Sequence, residues 1–454
     1  MRDTIPNQRS EGGTRQLALW HLLVYGGPAV PLAVLLLPLY VTLPTYYAKD
    51  LGVGLAAVGT VLTVTRLWDV VTDPIIGLLS DRTRSRFGRR KPWMVVGVLP
   101  VVLAVWLLFA PPFGVSAWHL LTWTVVLYLG GTMILLPYSA WGAELSPDYN
   151  ERSRITAVRE SAVIAGTVLA LAVPAFLGMP RVAVMEATAW ALTVLLPLTV
   201  LGAVLSLPDR QVPAPKDATS ELSRRQKLAI LWRNKPFRLL IGAHFINGIA
   251  YGMPATLFLL FVEEVLRSPG WAWPLLGVYF ASAVAGVPLW LWLSRHIGKH
   301  DAWRLAMAIA AGTFWIAMLL GEGDVYAFLA LCIVTGVPLG AELALPPSMQ
   351  ADVVDLDTLR TGRRRAGLFF AAWGVATKVP LALAVGIAFP LLALAGFEQD
   401  GGPQSEAALL TLAALYSLGP VIIKLTAIWL LRDYPIDAAE QRRIREAIAK
   451  QGAG

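Results

Sequence analysis

The sequence predicts an all-α integral membrane protein with twelve transmembrane helices in two six-helix halves and both termini in the cytoplasm. Of the 454 residues, 56% are hydrophobic and only 15% are charged, whereas about 25% of a typical soluble chain is charged. A membrane-spanning helix needs about 20 consecutive, mostly apolar residues. Twelve segments meet this requirement, at residues 20–46, 55–80, 92–110, 117–143, 157–178, 186–207, 236–262, 271–294, 302–320, 325–347, 366–396 and 406–431.

Lysine and arginine are concentrated in every second loop between these segments, which assigns those loops to the cytoplasm. The loop after the second segment (81–91) is strongly basic, and the loops after the fourth, sixth, eighth and tenth segments are basic as well. The alternate loops have few basic residues, and two of them are acidic. The formal net charge of +8 therefore reflects membrane topology and does not indicate nucleic-acid binding.

The longest polar stretch divides the chain into two similar parts. We expect an N-terminal six-helix half at 1–207, a cytoplasmic linker at 208–236, a C-terminal six-helix half at 237–432 and a cytoplasmic tail at 433–454. The loop after the eighth segment also resembles the loop after the second, as expected if the halves repeat. Two parallel repeats that enclose a site near the membrane midplane are a known transporter architecture.

Two aspartates lie within the second predicted helix, at Asp69 and Asp73. A charged side chain at this depth costs about 2.5–3.5 kcal/mol on insertion scales, and such residues usually face a cavity or a pathway. Their four-residue spacing places both carboxylates on one helix face, and Thr72 adds an oxygen. The pattern predicts a site for a small cation. The alternative is a structural pair that Arg66 neutralises.

Lys378 is the lone charge in the eleventh predicted helix and therefore needs a partner within the membrane. If the halves close around one cavity, Asp69 or Asp73 is the natural partner. A cation would then compete with the lysine ammonium for the carboxylates, and its binding would change which helix arrangement is preferred. The alternative is a static buried ion pair.

The sequence has none of the motifs on which most enzymes depend. It lacks a Ser/His/Asp arrangement, an HExxH motif and a phosphate-binding loop. Cys332 is the single cysteine and is expected to be a small packing residue, so neither a disulfide framework nor a Cys/His metal cluster is predicted. We expect no enzymatic activity and no cofactor. The polar N-terminus leads into a full-length span, which predicts no cleavable signal peptide.

Several motifs resemble those of the glycoside–pentoside–hexuronide cation symporters, a family within the major facilitator superfamily. They occur in order along essentially the whole chain, and they are RLWDVVTDP at 66–74, GLLSDR at 77–82, RFGRRKPW at 86–93, PYSAWGAELSPDYNER at 137–152, ADVVD at 351–355 and ATK at 376–378. The resemblance implies the major facilitator fold and transport of a solute together with a cation.

The resemblance also implies a cation site made of specific residues. Asp69 and Asp73 match the two acids of the family's site, and Thr132 matches a threonine that helps to bind the cation. Thr72 occupies the position of an asparagine ligand, so an oxygen donor is retained. Lys378 matches a lysine close to that site, which implies a coupling role for it.

The resemblance implies that some of the family's solute-binding residues are retained in this sequence and that others are replaced. Arg159 matches an arginine that contacts sugar, and Tyr25 matches the first residue of a Tyr-Gly pair at the start of helix 1. The two acids that hold sugar hydroxyls in the melibiose transporters of the family are replaced by Ala33 and Leu135, and a tryptophan is replaced by Leu343. These apolar residues cannot accept hydrogen bonds from hydroxyl groups.

Four further residues are candidates for contact with a solute. His244, Asn247 and Tyr251 are spaced i, i+3 and i+7, so they share one face of the seventh predicted helix. Trp141 lies deep in the fourth and could stack against a sugar ring. Packing within the helix bundle is the alternative for all four.

Acidic and basic residues alternate at the predicted cytoplasmic helix ends. We expect them to form salt bridges between the two halves and so hold one access state. The set is Asp81, Arg82, Glu144, Arg152, Asp352, Asp355 and Arg364. Topology alone explains the arginines of this set but not the acids among them.

The leading hypothesis is a monomeric, multi-pass transporter of the cytoplasmic (inner) membrane. It would use a Na⁺ or H⁺ gradient to move a small polar solute, a sugar or glycoside, by alternating access. An alternative keeps the cation coupling and changes the solute to an amphipathic molecule such as a lysolipid, because the lost sugar contacts leave an apolar wall. A third hypothesis is a receptor or scaffold without transport, although the sequence has no sizeable soluble domain for a partner.

Overall fold

The computed structural model describes residues 17–83, 85–112, 114–145, 149–207, 223–361, 365–398 and 403–436, with residues 440, 443 and 447 of the tail. The described residues form helices and connections and contain no strand. Twelve helices are long and apolar enough to cross a membrane. They are α1 (Leu19–Asp50), α2 (Leu55–Arg82), α3 (Lys91–Phe109), α4 (Ala117–Glu144), α5 (Tyr149–Leu177), α6 (Arg181–Ser206), α7 (Lys235–Val265), α8 (Pro269–Ile297), α9 (Lys299–Leu319), α10 (Val325–Thr361), α11 (Ala366–Leu394) and α12 (Glu406–Asp433). A short linker helix (Arg224–Arg233) precedes α7.

The twelve predicted spans are confirmed, and most of their ends agree within a few residues. Two helices extend further on the cytoplasmic side, because α5 begins at Tyr149 and α10 runs on to Thr361. In α10 the helix continues through Pro346 and Pro347. It does so because Met349 and Val353 beyond the prolines are fully buried and hold the last turns in place. Burial here outweighs the hydrogen bonds that proline removes.

Helix α1 is irregular, as its prolines predict. Its first α-helical part ends near Pro28, and π-helical turns occupy Pro38–Thr42 and Tyr46–Asp50. Proline removes a backbone donor and clashes with the preceding turn. The second π-helical turn brings Lys49 and Asp50 to the extracytoplasmic end of the bundle, where α7 also ends in a π-helical turn at Phe261–Val265.

The N-terminal half (α1–α6) and the C-terminal half (α7–α12) pack against each other on the extracytoplasmic side. Gly59 of α2 allows a close approach to α11, since a Cβ there would lie 3.1 Å from the Cβ of Phe389. The Thr63 hydroxyl donates a hydrogen bond to the carbonyl of Ala382 at 3.0 Å. One apolar core runs through both halves at this level, whereas a second core contains only residues of the C-terminal half near the cytoplasm.

A cluster of charged residues joins the halves at the same extracytoplasmic side. Lys49 of α1 pairs with Glu263 and Glu264 of α7, at 3.4 Å for Glu263. Arg181 of α6 pairs with Asp50 at 3.0 Å and also with Glu263. These residues could not be singled out from the sequence, because charges at helix ends are common and their meeting depends on tertiary structure. The conformation is closed on the extracytoplasmic side.

On the cytoplasmic side, the described salt bridges of the predicted gate residues lie within each half. Arg90 pairs with Asp81 at 2.6 Å and with Glu144 at 3.0 Å, and all three belong to the N-terminal half. Asp352 pairs with Lys299 at 2.5 Å within the C-terminal half. These described pairs lie within each half, on the side opposite the extracytoplasmic cluster.

Of the other members of the predicted cytoplasmic gate, two are fully described. Arg82 and Asp355 are exposed. The side chain of Arg152 and the whole of Arg364 lie outside the described residues. Their pairing across the halves remains a prediction for the opposite access state.

Removing a carboxylate from the extracytoplasmic cluster should open that side. Glu263→Gln removes the group that pairs with both Lys49 and Arg181, and we expect the outward-open population to rise about tenfold. Spin labels at Pro112→Cys and Pro403→Cys, in a Cys332→Ser background, would report a longer distance across the extracytoplasmic face. Glu322→Gln breaks an exposed pair with Arg267 inside one half and is the matched control. An unchanged distance distribution in Glu263→Gln would contradict a gating role.

Candidate cation and solute site

Asp69 and Asp73 lie one turn apart in the middle of α2. Asp69 is buried and Asp73 is half-buried, and their side chains are 9% and 24% exposed. The four-residue spacing places them on the same helix face, as predicted. Pro74 follows directly inside the helix, where it removes a backbone hydrogen bond. The pair faces α4 of its own half and α11 of the other half.

Lys378 of α11 bridges the two carboxylates. Its Nζ lies 2.7 Å from Asp69 Oδ2 and 2.5 Å from Asp73 Oδ2. The Thr132 hydroxyl lies 3.0 Å from Asp69 Oδ1 and 2.9 Å from Asp73 Oδ1, and it can donate its single proton to one of them at a time. The ammonium therefore occupies the space between two carboxylates that a metal cation of equal charge would require.

Glycines allow α3 and α4 to pack closely beside the site. A Cβ on Gly130 would lie 2.9 Å from the Val101 side chain, and one on Gly97 would lie 2.8 Å from the Ile134 side chain. Side chains at these positions would push α3 and α4 apart. Gly131 has nothing within 4 Å of its Cβ position and lines the open space beside the site.

Two of the predicted site residues do not join this cluster. The Thr72 hydroxyl donates to the backbone carbonyl of Asp69 at 3.1 Å, which is a common use of threonine inside helices. Arg66 is buried, and its guanidinium lies 4.5 Å from the centre of the Tyr40 ring. Within the described residues, no carboxylate lies within salt-bridge distance of Arg66. The cation that pairs with the carboxylates is thus Lys378 and not Arg66.

A cavity of about 310 Å³ lies beside the cation site. Asp69, Thr132 and Lys378 line one end, and Arg159 with Glu160 lines another part of the wall. Arg159 donates from Nη2 and Nε to Glu160 Oε1, at 2.6 and 3.1 Å. Much of the remaining wall is apolar, from Leu32, Ala33, Leu35, Leu36, Leu39, Leu127 and Leu135. The cavity therefore offers both charged and apolar surfaces to one solute.

Tyr25 and Trp141 pack inside the N-terminal half and do not line this cavity. Both are almost completely buried. The Tyr25 hydroxyl donates to the Tyr138 carbonyl at 3.3 Å, and the Tyr138 hydroxyl donates to the Tyr25 carbonyl at 2.6 Å. This reciprocal pair fixes α1 against α4. In this conformation both residues pack within the half, and their contact with a solute stays a prediction.

Comparison with known proteins identifies the chain. Residues 24–438 match the model of the family described as MFS/sugar transport protein. The chain belongs to this family. The resemblance to cation symporters of the major facilitator superfamily is therefore confirmed, and the protein is a transporter and not an enzyme.

Individual relatives agree with this assignment. An uncharacterized symporter of Synechocystis is 28% identical, covering 94% of this chain and 96% of its own length. A sodium-dependent lysophosphatidylcholine symporter of Danio rerio is 28% identical, covering 84% of this chain and 79% of its own. The solved structure of a mutant of the nucleoside transporter NupG has a TM-score of 0.68 at 14% identity. The match covers 90% of this chain and 99% of the NupG chain. The predicted major facilitator fold and multi-pass membrane location are confirmed.

The predicted polar face of the transporter's α7 makes contacts inside the C-terminal half. His244 stacks on Trp373 with ring centres 4.0 Å apart, and its Nε2 lies 3.1 Å from the Thr377 hydroxyl. Thr377 also donates to the Trp373 carbonyl at 3.0 Å, and both contacts are satisfied in the tautomer in which His244 Nε2 carries the proton. His244 thus contacts α11 one residue before Lys378.

Asn247 contacts a second buried charge pair, which was not predicted from the sequence. Glu342 of α10 and Lys424 of α12 lie 2.9 Å apart. Asn247 bonds both, at 2.6 Å to Glu342 and 2.7 Å to Lys424, and Trp303 donates to Glu342 at 2.7 Å. The signal was present, because each is an isolated charge in an apolar segment, and such charges indicate a functional site by default.

Proposed function

We propose that this transporter couples the movement of a solute to that of a cation bound between Asp69 and Asp73. The observation that carries the proposal is the meeting of two carboxylates, one hydroxyl and one lysine ammonium between the halves. Lys378 belongs to the C-terminal half and the aspartates to the N-terminal half. A cation that displaces the ammonium therefore changes the attraction between halves and biases the access state.

We propose Na⁺ as the coupling ion, with H⁺ as the alternative. The site provides carboxylate and hydroxyl oxygens, which are suitable ligands for a hard cation. A relative named as sodium-dependent supports the same ion. Protons would also bind to these carboxylates and weaken their attraction to Lys378. A single bundle contains both the cation site and the cavity, so we propose that a monomer performs transport.

For the solute, we propose a sugar or glycoside as the first candidate. The name of the matching family includes sugar transport, and Arg159, Glu160 and Ser139 line the cavity with groups that hydrogen-bond to hydroxyls. Because Ala33 and Leu135 also line it, recognition would differ from that of the melibiose transporters in the family.

A lysolipid is the second candidate. The leucine-rich wall of the cavity supports it, since that wall offers apolar contact that a hydroxyl-rich solute does not need. A relative named as a lysophosphatidylcholine symporter points in the same direction. Binding assays with glycosides and with lysolipids would separate the two candidates.

Calorimetry on purified protein at fixed pH tests the cation proposal directly. We expect saturable heat when NaCl is titrated into the wild type, and none in Asp73→Asn. Absence of sodium heat together with proton uptake or release on adding solute would assign H⁺ as the coupling ion. Absence of both signals would reject cation coupling at this site.

A further inference from the structure

A second cavity lies inside the C-terminal half. Its volume is about 120 Å³, and its wall is almost wholly apolar. Helices α7, α8, α9, α10 and α12 contribute to it. Aromatic rings form much of the wall, namely Tyr251, Phe258, Phe280, Phe314, Phe328 and Tyr416. A closely packed helix bundle leaves few voids of this size. We therefore expect a ligand to bind in this cavity.

The buried charge pair forms the polar part of this cavity. Both Glu342 and Lys424 line it. Lys424 has three donors, and two are used by Glu342 and Asn247. Within the described part of the chain, its third donor has no assigned acceptor. A ligand oxygen at this end would satisfy that donor, while an apolar group would fill the space between the rings.

Helix α1 places this cavity next to the solute cavity of the N-terminal half. Tyr40 lines the first cavity, and the next residue, Val41, lines the second. Consecutive residues of one helix thus separate the two spaces. For one solute to occupy both spaces, its polar part and its apolar part would have to lie on the two sides of α1 at this level.

We propose that the C-terminal cavity is a subsite for the apolar group of the transported solute, with an oxygen of that solute accepting a hydrogen bond from Lys424. This inference rests on the proposed transport function and makes its solute amphipathic. The size favours a group of about one aromatic ring, since an apolar cavity of about 150 Å³ holds benzene. An aryl glycoside fits this description, whereas only part of a long acyl chain would fit in a cavity of about 120 Å³.

The chain carries its own reporter for this cavity, because its single cysteine, Cys332, lines the wall. Protein in lipid nanodiscs would be treated with N-phenylmaleimide, and modification of Cys332 followed by intact mass. The probes are benzyl alcohol, phenyl β-glucoside and lysophosphatidylcholine. Methyl β-glucoside and glycerophosphocholine are their counterparts without the apolar group.

We expect benzyl alcohol and at least one of the two amphipathic probes to slow modification fivefold or more, and the polar counterparts to have no effect. Ala255→Leu extends a side chain from the wall and should remove the protection. Ala281→Leu changes an exposed residue of α8 and should retain it. Equal protection by methyl glucoside, protection that survives Ala255→Leu, or no protection by any probe would overturn the proposal.

The polar end has a separate test. The double variant Glu342→Gln with Lys424→Met removes both charges and so leaves no unpaired ion. We expect it to weaken protection by benzyl alcohol about tenfold and to leave protection by toluene unchanged. Equal protection by benzyl alcohol in the variant and the wild type would reject Lys424 as the donor.

Sodium calorimetry on the same preparations separates this proposal from the proposed function. If Asp73→Asn abolishes sodium heat while no probe protects Cys332, the subsite fails and cation coupling stands. If the probes protect Cys332 but no cation effect appears, the apolar cavity binds ligand and coupling at the aspartates fails.

Discussion

Asp69→Asn should abolish solute accumulation driven by a cation gradient. Asparagine keeps the size of the side chain but loses the negative charge that attracts both Lys378, at 2.7 Å, and a competing cation. Coupling energies between sites are commonly about 1–3 kcal/mol, so we expect the cation dependence of uptake to fall by about ten- to hundredfold. Proteoliposomes with an imposed sodium or proton gradient provide the measurement.

Asp433→Asn is the matched control for this variant. Asp433 is exposed at the cytoplasmic end of α12 and pairs only with its exposed neighbour Arg432 among the described contacts. We expect normal accumulation in the control. Full gradient-driven uptake in Asp69→Asn would show that the aspartate pair is structural.

Lys378→Met should make the protein less stable and more responsive to sodium. Removing one partner of a buried pair leaves uncompensated charge and commonly costs about 3–5 kcal/mol. The Lys378 side chain is 35% exposed, so solvent reduces the loss to about 1–3 kcal/mol. Sodium at about 100 times its Kd would restore about 2.7 kcal/mol. Thermal unfolding with and without NaCl should therefore show a larger sodium-dependent rise in Tm than in the wild type.

Lys424→Met is the comparison for this experiment. It unpairs Glu342 in the C-terminal half, and its Tm should also fall. Sodium should restore little of that loss, because the Glu342 carboxylate is separate from the aspartate pair. Equal rescue of both variants would mean that sodium stabilises the protein by a general salt effect.

The accumulation assay described for Asp69→Asn should also show that Lys378→Met no longer concentrates solute.

Much of the fold follows from local sequence, because each helix must satisfy its own backbone hydrogen bonds within the membrane. The length of the apolar segments therefore predicts all twelve spans. The cytoplasmic extensions of α5 and α10 could not be predicted from the length of the apolar segments. The end of α10 depends on the burial of Met349 and Val353 against other helices, which no hydropathy pattern reveals.

Part of the cation site could also be predicted, because the spacing and the isolation of charged residues are local properties of the sequence. The spacing of Asp69 and Asp73 determines their common face, and the isolation of Lys378 indicates a missing partner. The position of Thr72 in the sequence gave no information on the direction of its hydroxyl, which bonds to the helix backbone. The burial of Trp141 could not be predicted from its sequence position, because a deep aromatic residue serves packing as readily as binding.

The membrane class, the number of spans and the presence of charges that need partners all follow from the amino-acid sequence alone. These properties depend on the cost of transferring each residue into lipid, which is a local quantity. Only the tertiary structure decided which charges meet, because contacts between residues hundreds of positions apart depend on how the halves pack. That packing places Lys378 between two aspartates, joins Lys49 and Arg181 to Glu263, and buries Glu342 with Lys424 beside an aromatic cavity.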